Sequence, residues 1–183
     1  MLTKKIAELP YMNSFADIFE RTEDRITTDK NSKILGCNVI IPHVCNNVNG
    51  FGAGFAGAVA DRYPLVKQNF HMLGNDAVLG YVQFVTVKQD PIYRNKLIFA
   101  NMIAQNGLVG KTNARPLKYH ALVACMSKVK KFADDLAKGE EGNGVEIHAP
   151  KFGSGLAGGN WNFITDLIED IWGQFNVTIY SQK

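Results

Sequence analysis

The sequence predicts a layered α/β domain, and three observations lead to this prediction. Strand-like and helix-like segments alternate along the chain, which is typical of folds that stack helices on a sheet. Val39–Val44 is almost continuously apolar, as expected of a central strand that is covered on both faces. Two segments, which begin near Pro116 and Trp161, repeat apolar residues every three or four positions, as amphipathic helices do.

The composition restricts the class of protein. The chain has 183 residues, of which 46% are hydrophobic and 20% charged, enough for one domain with a sizeable core. The net charge is only +3, and the short basic run Lys128–Lys131 is expected to be a solvated helix face. No apolar run reaches the roughly 18 residues of a membrane helix. The three cysteines show no paired spacing, which favours reduced thiols. We therefore expect a cytoplasmic, monomeric protein, one domain over residues 1–183, without membrane or specific nucleic-acid partners.

Residues 1–33 form an N-terminal segment whose structure the pattern leaves open. Lys5–Leu9 favours a short strand, and Ser14 is placed to cap a short helix. The polar stretch Arg21–Gly36 indicates an edge strand followed by a loop.

The elements after the central strand follow from apolar periodicity and from the positions of Gly and Pro. Short helices are predicted at Phe55–Arg62 and Pro64–Leu73, strands at Val78–Val87, Leu97–Ala104, Val145–Ala149 and Val177–Tyr180, and a loop at Gln105–Arg115. The first long helix is expected to begin at Pro116, because Pro is well tolerated in the first turn of a helix.

Two glycine-rich segments each follow a predicted strand and precede a predicted helix. We call them the first glycine loop (Asn46–Gly54) and the second glycine loop (Lys151–Gly158). Backbone N–H groups at such positions attract anions, and Gly lets the backbone approach a ligand closely. Ligands of open α/β sheets lie beyond the carboxyl ends of the strands. The two loops therefore predict a site that holds a diphosphate between them, although both could be no more than tight turns.

Two other phosphate motifs fit less well. Gly52–Gly57 matches the dinucleotide fingerprint G-x-G-x-x-G, but seven residues separate its first Gly from Val44, and no acidic residue ends a second strand about 20 residues later. A P-loop is excluded because no Gly-Lys-Ser/Thr follows. Metal-ligand spacing is also absent, so no metal or cofactor is predicted.

Several ordered segments resemble the macro domain family. They are His43–Phe55, Phe99–Gly107 and His148–Trp161, and the closing Val177–Tyr180 fits as well. The resemblance covers roughly Ile34–Tyr180 and is nearest to the ADP-ribose-1″-phosphate phosphatase-like branch found in bacteria, phages and yeast. It implies a three-layer α/β/α fold around a central mixed sheet.

The resemblance also implies that ADP-ribose or a derivative binds in a cleft at the top of the sheet. In the first glycine loop it assigns the diphosphate cradle to Gly52, Ala53, Gly54 and Phe55, and a bond to the distal ribose to Asn46 or Asn47. In the second it assigns the cover over the phosphates to Gly153, Ser154, Gly155, Leu156 and Ala157. Tyr180 would line the adenine pocket, and an equally supported alternative is that it is only a Tyr at the edge of the core.

An acidic residue usually accepts the adenine amino group in this family, and here the pattern departs from the family. Asp24 and Asp17 compete for the place, and Asp24 is favoured because it is nearer to the central strand in sequence.

His43 is the main catalytic candidate, because the resemblance puts a His at this strand end. It could act as acid, base or nucleophile at a terminal phosphate, with Asn46 aligning the ribose or a water, or it could only support the loop. Cys45 shares its strand face, so a Cys–His pair is an alternative, and a buried Cys that only fills the core is another.

Three functions remain open at this stage. The first is a phosphatase that removes the 1″-phosphate of ADP-ribose-1″-phosphate. The second is a hydrolase acting on ADP-ribose attached to macromolecules or acetate, although Ala157 stands where one such mechanism needs Asp, and residues 101–105 lack its Lys. The third is a non-enzymatic reader of ADP-ribose.

Overall fold

The computed structural model describes residues 6–10, 14–27, 36–139 and 144–181, in which one six-stranded sheet lies between two layers of helices. The strands are β1 (Ile6–Pro10), β2 (Asn38–Asn46), β3 (Val82–Gln89), β4 (Lys96–Gln105), β5 (Val145–Pro150) and β6 (Asn176–Ser181). The helices are α1 (Ala16–Ile26), α2 (Gly54–Arg62), α3 (Pro64–Met72), α4 (Tyr119–Ala137) and α5 (Trp161–Trp172), with a 3₁₀ turn at Gly74–Asp76.

The sheet is mixed, as the resemblance implied. Its strand order is β1-β6-β5-β2-β4-β3, and all neighbours are parallel except β3 and β4. Helices α1, α2 and α3 pack on one face, and α4 and α5 pack on the other. Val39 and Ile41 of β2 point into the first of these cores and Ile40 into the second, which explains why this strand is continuously apolar.

Helix α1 is longer than the sequence predicted. It runs on to Ile26, so the edge strand and loop expected from Arg21 onward are wrong as far as this residue. Thr22 interrupts the apolar pattern and yet is fully buried. Burial of its hydroxyl is tolerated because the hydroxyl donates a hydrogen bond to the Ile18 carbonyl at 2.8 Å. Ser14 does not cap the helix, whose N-cap residue is Phe15. The rest of the predicted loop, residues 28–35, lies outside the described residues, as do Lys5 and the other residues before Ile6.

The first long helix begins three residues later than predicted. Leu117 bridges Gln105, and its N–H group donates to the Ala157 carbonyl at 3.1 Å, so this segment is held beside the second glycine loop instead of turning into helix. Strand β3 also begins late, because a turn in which Tyr81 N–H donates to the Val78 carbonyl precedes it. The described part of the chain has no helix that is both long and apolar enough to cross a membrane.

Candidate functional site

A cleft of about 700 Å³ opens at the carboxyl edge of the sheet, where β2, β4, β5 and β6 end. Both glycine loops contribute to its walls. The predicted site residues that line it are His43, Asn46, Gly52, Ala53, Gly54, Phe55, Gly153, Ser154, Gly155, Leu156, Ala157 and Tyr180. The two loops and the end of the last strand, which are far apart in sequence, are thus brought to one site by the parallel strands.

The side chain of Asn46 organises the first glycine loop. Its Oδ1 accepts hydrogen bonds from the N–H groups of Val48 at 3.1 Å and Gly50 at 2.9 Å, and its Nδ2 donates to the Gly50 carbonyl at 2.7 Å. The residue is buried, and only one hydrogen of Nδ2 is left for other partners. The geometry therefore makes Asn46 a residue that shapes the loop backbone.

Helix α2 begins at this loop without a side-chain cap. The N-cap residue is Ala53, and within the described chain neither a capping hydrogen bond nor an acidic residue of the first turn occupies the helix start. Gly54, whose φ of +57° suits Gly, lines the cleft together with Phe55 and Ala56. The first N–H groups of a helix have no partner inside the helix, so here they remain available to an anion in the cleft.

The second glycine loop is closed on itself. The N–H group of Gly158 donates to the Gly155 carbonyl at 2.9 Å, and that of Gly159 donates to the Gly153 carbonyl at 2.8 Å. Gly158 has a φ of +72°, and a Cβ there would come within 2.7 Å of the Ala114 carbonyl oxygen. These contacts fix the loop against residues 114–117.

Helix α5, which follows this loop, is capped. The Oδ1 of Asn160 accepts hydrogen bonds from the N–H groups of Asn162 at 2.9 Å and Phe163 at 3.4 Å. The N–H group of Asn160 in turn donates to the Tyr119 hydroxyl at 2.8 Å. Because its first donors are already bonded, the start of α5 does not offer the anion site that α2 offers.

His43 lies beneath the first glycine loop in an aromatic surrounding. Its ring makes edge contacts with Phe51, Phe55 and Phe99 at centroid distances of 5.7, 5.7 and 6.2 Å. The residue is only 2% exposed. Burial lowers the pKa of His43 to about 4, against the opposing effect of its hydrogen bond with Asn101. The imidazole is therefore neutral at physiological pH.

A chain of amides fixes the tautomer of His43. The Nε2 of Gln83 donates to the backbone carbonyl of Asn69 at 2.9 Å, which turns the Gln83 Oε1 toward Asn101. Asn101 donates its Nδ2 to that oxygen at 3.0 Å and so presents its Oδ1 to His43 at 2.6 Å. An acceptor at this place requires the proton on His43 Nε2, and Nδ1 is left as the acceptor.

Cys45 is the neighbour of that free acceptor. Its Sγ lies 3.7 Å from His43 Nδ1, so the two side chains do meet on one strand face. Burial raises the pKa of the Cys45 thiol well above its usual value, with a smaller contribution from Cys125. A protonated thiol donates weakly to the imidazole and is not a nucleophile, so the contact has the character of core packing.

Tyr180 is held by a second histidine network. Its hydroxyl lies 2.8 Å from Nδ1 of His148, and Nε2 of the same ring lies 3.0 Å from the carboxylate of Glu146. Arg25 of α1 donates two hydrogen bonds to that carboxylate, at 3.0 and 2.8 Å. Burial raises the pKa of Glu146, but the bonds from His148 and Arg25 prevail and lower it to about 2.

The ionised Glu146 decides the direction of the hydrogen bond with His148. It can only accept, so His148 donates through Nε2, and its Nδ1 pairs with the Tyr180 hydroxyl. Burial raises the pKa of Tyr180 to about 12, which keeps the phenol protonated. The network thus locks the Tyr180 ring in the cleft wall.

Two predicted site residues lie outside the cleft lining. Asn47 donates to Asn106 at 3.0 Å and accepts from the Gly107 N–H group at 2.9 Å, so it ties the neighbouring loop to the first glycine loop. Asp24 is exposed in the last turn of α1. Asp17 is half-buried in the first turn of the same helix, two residues after Phe15, which lines the cleft.

Sequence reasoning missed several residues that line the cleft. Among them are Phe15, Gln105, Leu108, Val109 and Lys151. Position in sequence was a usable signal for Lys151, which directly follows β5. Leu108 and Val109 gave no signal, since apolar residues in a polar loop have no periodicity. No cluster of three or more metal-ligating side chains occurs among the residues that the structure covers.

Solved structures are similar to this chain over nearly its whole length. No protein-family model matches it, and no curated protein does. A protein from Bacteroides thetaiotaomicron is 26% identical with a TM-score of 0.70, over 97% of this chain and 99% of that one. A macrodomain protein from Streptomyces coelicolor is 27% identical with a TM-score of 0.66, over 96% and 98%. Thermosipho africanus DarTG, in complex with ADP-ribose, is 14% identical with a TM-score of 0.59, over 78% of this chain and 37% of that one.

Proposed function

Since the chain has the macro domain fold, we propose that its cleft binds ADP-ribose or a derivative of it. The observation that carries this proposal is the uncapped start of α2, which opens into the cleft between the two glycine loops. The N–H groups and the dipole of a helix start stabilise a phosphate anion. A cleft of about 700 Å³ has the size of a small-molecule site. The DarTG structure with ADP-ribose supports this choice of ligand.

In this proposal the two glycine loops have different functions. Gly52, Ala53, Gly54 and Phe55 donate backbone N–H groups to the diphosphate. Gly153–Ala157 cover the phosphates from the opposite wall. Tyr180 forms the wall beside the adenine, and its ring is held there by His148.

For the adenine amino group we propose Asp17 as the acceptor in place of Asp24. Asp17 lies in the first turn of α1 beside cleft-lining Phe15, whereas Asp24 lies seven residues farther along the helix, roughly 10 Å at 1.5 Å per residue. A carboxylate that contacts the base must be at the cleft end of the helix, and only Asp17 is.

As the reaction we propose removal of the 1″-phosphate of ADP-ribose-1″-phosphate. Backbone donors of the first glycine loop would stabilise the charge that develops on the transferred phosphoryl group. His43, with its low pKa and with Nε2 bonded to Asn101, is a poor general acid at neutral pH, so we assign it the positioning of Phe51 and Phe55 beneath the loop. The branch resemblance is the main support for this reaction.

A non-enzymatic reader of ADP-ribose is the second candidate, and one observation favours it. Of the described side chains that line the cleft, the only imidazole is buried and hydrogen-bonded, the carboxamide of Asn46 shapes the backbone of the first loop, and none is a carboxylate. Such a lining recognises a diphosphate well but supplies little acid–base chemistry.

One substrate panel separates these functions. Wild type, Gly52→Val and His43→Ala are tested for phosphate release from ADP-ribose-1″-phosphate, for turnover of ADP-ribosylated protein and O-acetyl-ADP-ribose, and for ADP-ribose binding by calorimetry. A phosphatase releases phosphate, loses activity in Gly52→Val and retains part of it in His43→Ala. Turnover of the other substrates alone identifies a hydrolase. Binding without any turnover identifies a reader, and no binding at all overturns the proposal.

A further inference from the structure

Lys151 is the one charged side chain among the described residues that line the cleft. It is the first residue after β5. Its N–H group donates to the Tyr180 carbonyl at 3.1 Å, and its ammonium group lies 5.4 Å from the centre of the Trp161 ring at the start of α5. The backbone of Lys151 is therefore held beside Tyr180, on the β5–β6 side of the cleft.

Among the described residues no carboxylate forms an ion pair with this ammonium group, although Glu8 accepts a hydrogen bond from the Trp161 indole at 3.3 Å. Lys88 and Arg62, by contrast, both pair with Glu23. Within the described lining of the cleft, the positive charge of Lys151 is thus not opposed by a negatively charged side chain.

The opposite end of the cleft is apolar. Gln105, Leu108 and Val109 line it where β4 ends, and Leu108 and Val109 are 56% and 48% exposed. None of these three side chains carries a charge. In the proposed binding orientation, Tyr180 marks the adenosine end and the loop after β4 marks the distal ribose end. Lys151, on the β5–β6 side, therefore lies beside the adenosine half of the ligand, away from a distal phosphate.

We propose that Lys151 selects a ligand that carries a phosphomonoester on its adenosine ribose, at the 2′ or 3′ position. This inference rests on the proposed function, because it takes the diphosphate at α2 and the base at Tyr180 as given. A lysine ammonium binds phosphate as a compact point charge, and no described carboxylate lines the cleft beside it. The substrate class would then be phosphorylated ADP-ribose, a product of dinucleotides that carry the same extra phosphate.

Calorimetric titration of the full chain with ADP-ribose and with 2′-phospho-ADP-ribose tests the inference. We expect the phosphorylated ligand to bind about fivefold more tightly at low salt, the effect of one favourable exposed ion pair, and the ratio to shrink as salt is added. Lys151→Met should bring the ratio to about one, and Lys151→Arg should keep it. Lys111→Met, a control at an exposed lysine outside the lining, should leave the ratio unchanged.

Equal affinities in wild type together with equal, weak competition by adenosine 2′,5′- and 3′,5′-bisphosphate, or a preference that survives Lys151→Met, would overturn the inference while leaving ADP-ribose binding intact. Failure of ADP-ribose itself to bind would instead overturn the proposed function. Competition by adenosine 2′,5′-bisphosphate against adenosine 3′,5′-bisphosphate then identifies the position of the phosphate, and equal, weak competition by both would also contradict the inference.

Discussion

The two glycine loops look alike in sequence but differ in how their backbone donors are used. At the first loop, α2 begins without a cap and its first residues, Gly54–Ala56, line the cleft. At the second, hydrogen bonds within the loop and the Asn160 cap of α5 occupy donors that could otherwise bind an anion. The same strand–glycine–helix pattern thus produces one open cradle and one closed wall.

The difference depends on which residue stands at the start of the helix. Ala53 has no hydrogen-bonding side chain, whereas Asn160 satisfies two N–H groups. The polar side chain of the first loop, Asn46, lies earlier and braces the loop from within. A glycine count alone therefore does not identify a phosphate cradle, and the capping residue has to be considered with it.

Matched valine substitutions in the two glycine loops should have the largest effect on ADP-ribose affinity. They test directly whether the two loops differ in how they bind the ligand. A Cβ at Gly52 or at Gly155 would meet no atom within 4 Å, so Gly52→Val and Gly155→Val should both fold. In the first loop the new side chain would fill the cradle, and we expect ADP-ribose affinity to fall about a thousandfold, roughly 4 kcal/mol. In the second we expect a loss of no more than about tenfold. Calorimetry measures both, and equal losses would show that the loops share the diphosphate.

Acid should destabilise the support beneath the first loop. The pKa of His43 is about 4 in the folded protein and near 6.5 when unfolded, so between these values the unfolded chain binds more protons. Stability therefore rises with pH across this window, by about 3 kcal/mol in total. Denaturant unfolding between pH 4 and 7 measures it.

The control is His43→Gln, which keeps a donor toward Asn101 but does not titrate. Its stability should change much less over the same window. Below pH 4 both proteins should lose stability in parallel, because the pKa of Glu146 is lowered from 4.5 to about 2 and the stabilising effect of its carboxylate is lost as the pH falls between these values. A wild type and variant with identical profiles above pH 4.5 would contradict the burial of a neutral imidazole.

Removal of the brace should loosen the first loop. Asn46→Ala deletes three hydrogen bonds to the backbone of Val48 and Gly50, and we expect about 2 kcal/mol less stability and about tenfold weaker ADP-ribose binding. Asn47→Ala is the control, because its partners are in the neighbouring loop and its side chain is outside the lining. Should Asn47→Ala weaken binding as strongly as Asn46→Ala, Asn47 contacts the ligand after all.

The smallest effect is expected at the cap of the second loop. Asn160→Ala should reduce the free energy of unfolding by about 1 kcal/mol, because two N–H groups of α5 lose their acceptor. ADP-ribose affinity should change by less than about twofold. Thermal unfolding and calorimetry on one preparation measure both, and a clear gain in affinity would mean that the freed donors of α5 reach the ligand.

The sequence predicted the fold and the two loops because their signals are local. The apolar run of β2 and the periodic faces of α4 and α5 are visible in any window of the chain. Other features depend on partners that are distant in sequence. The hydroxyl of Thr22 can be buried because it bonds to a carbonyl of its own helix. The N–H group of Leu117 bonds to the Ala157 carbonyl, and α4 begins after it. Neither contact has a local signature.

The candidate site was predictable in outline but not in function. Its loops could be named from glycine positions, yet the role of Asn46 depends on the path of four residues that follow it. The state of His43 depends on Asn101, Gln83 and the Asn69 carbonyl, which only the sheet brings together. Burial then changes a plausible acid–base residue into a neutral support.

The central claim is that the uncapped start of α2 binds the diphosphate, and backbone amide NMR during titration with ADP-ribose tests it most directly. The account predicts the largest downfield proton shifts at Gly54, Phe55 and Ala56, as expected when an N–H group donates to a phosphate oxygen. The N–H groups of Gly158 and Gly159, already bonded within the second loop, should shift far less. Unchanged amides at Gly54–Ala56 in a protein saturated with ADP-ribose would contradict the account.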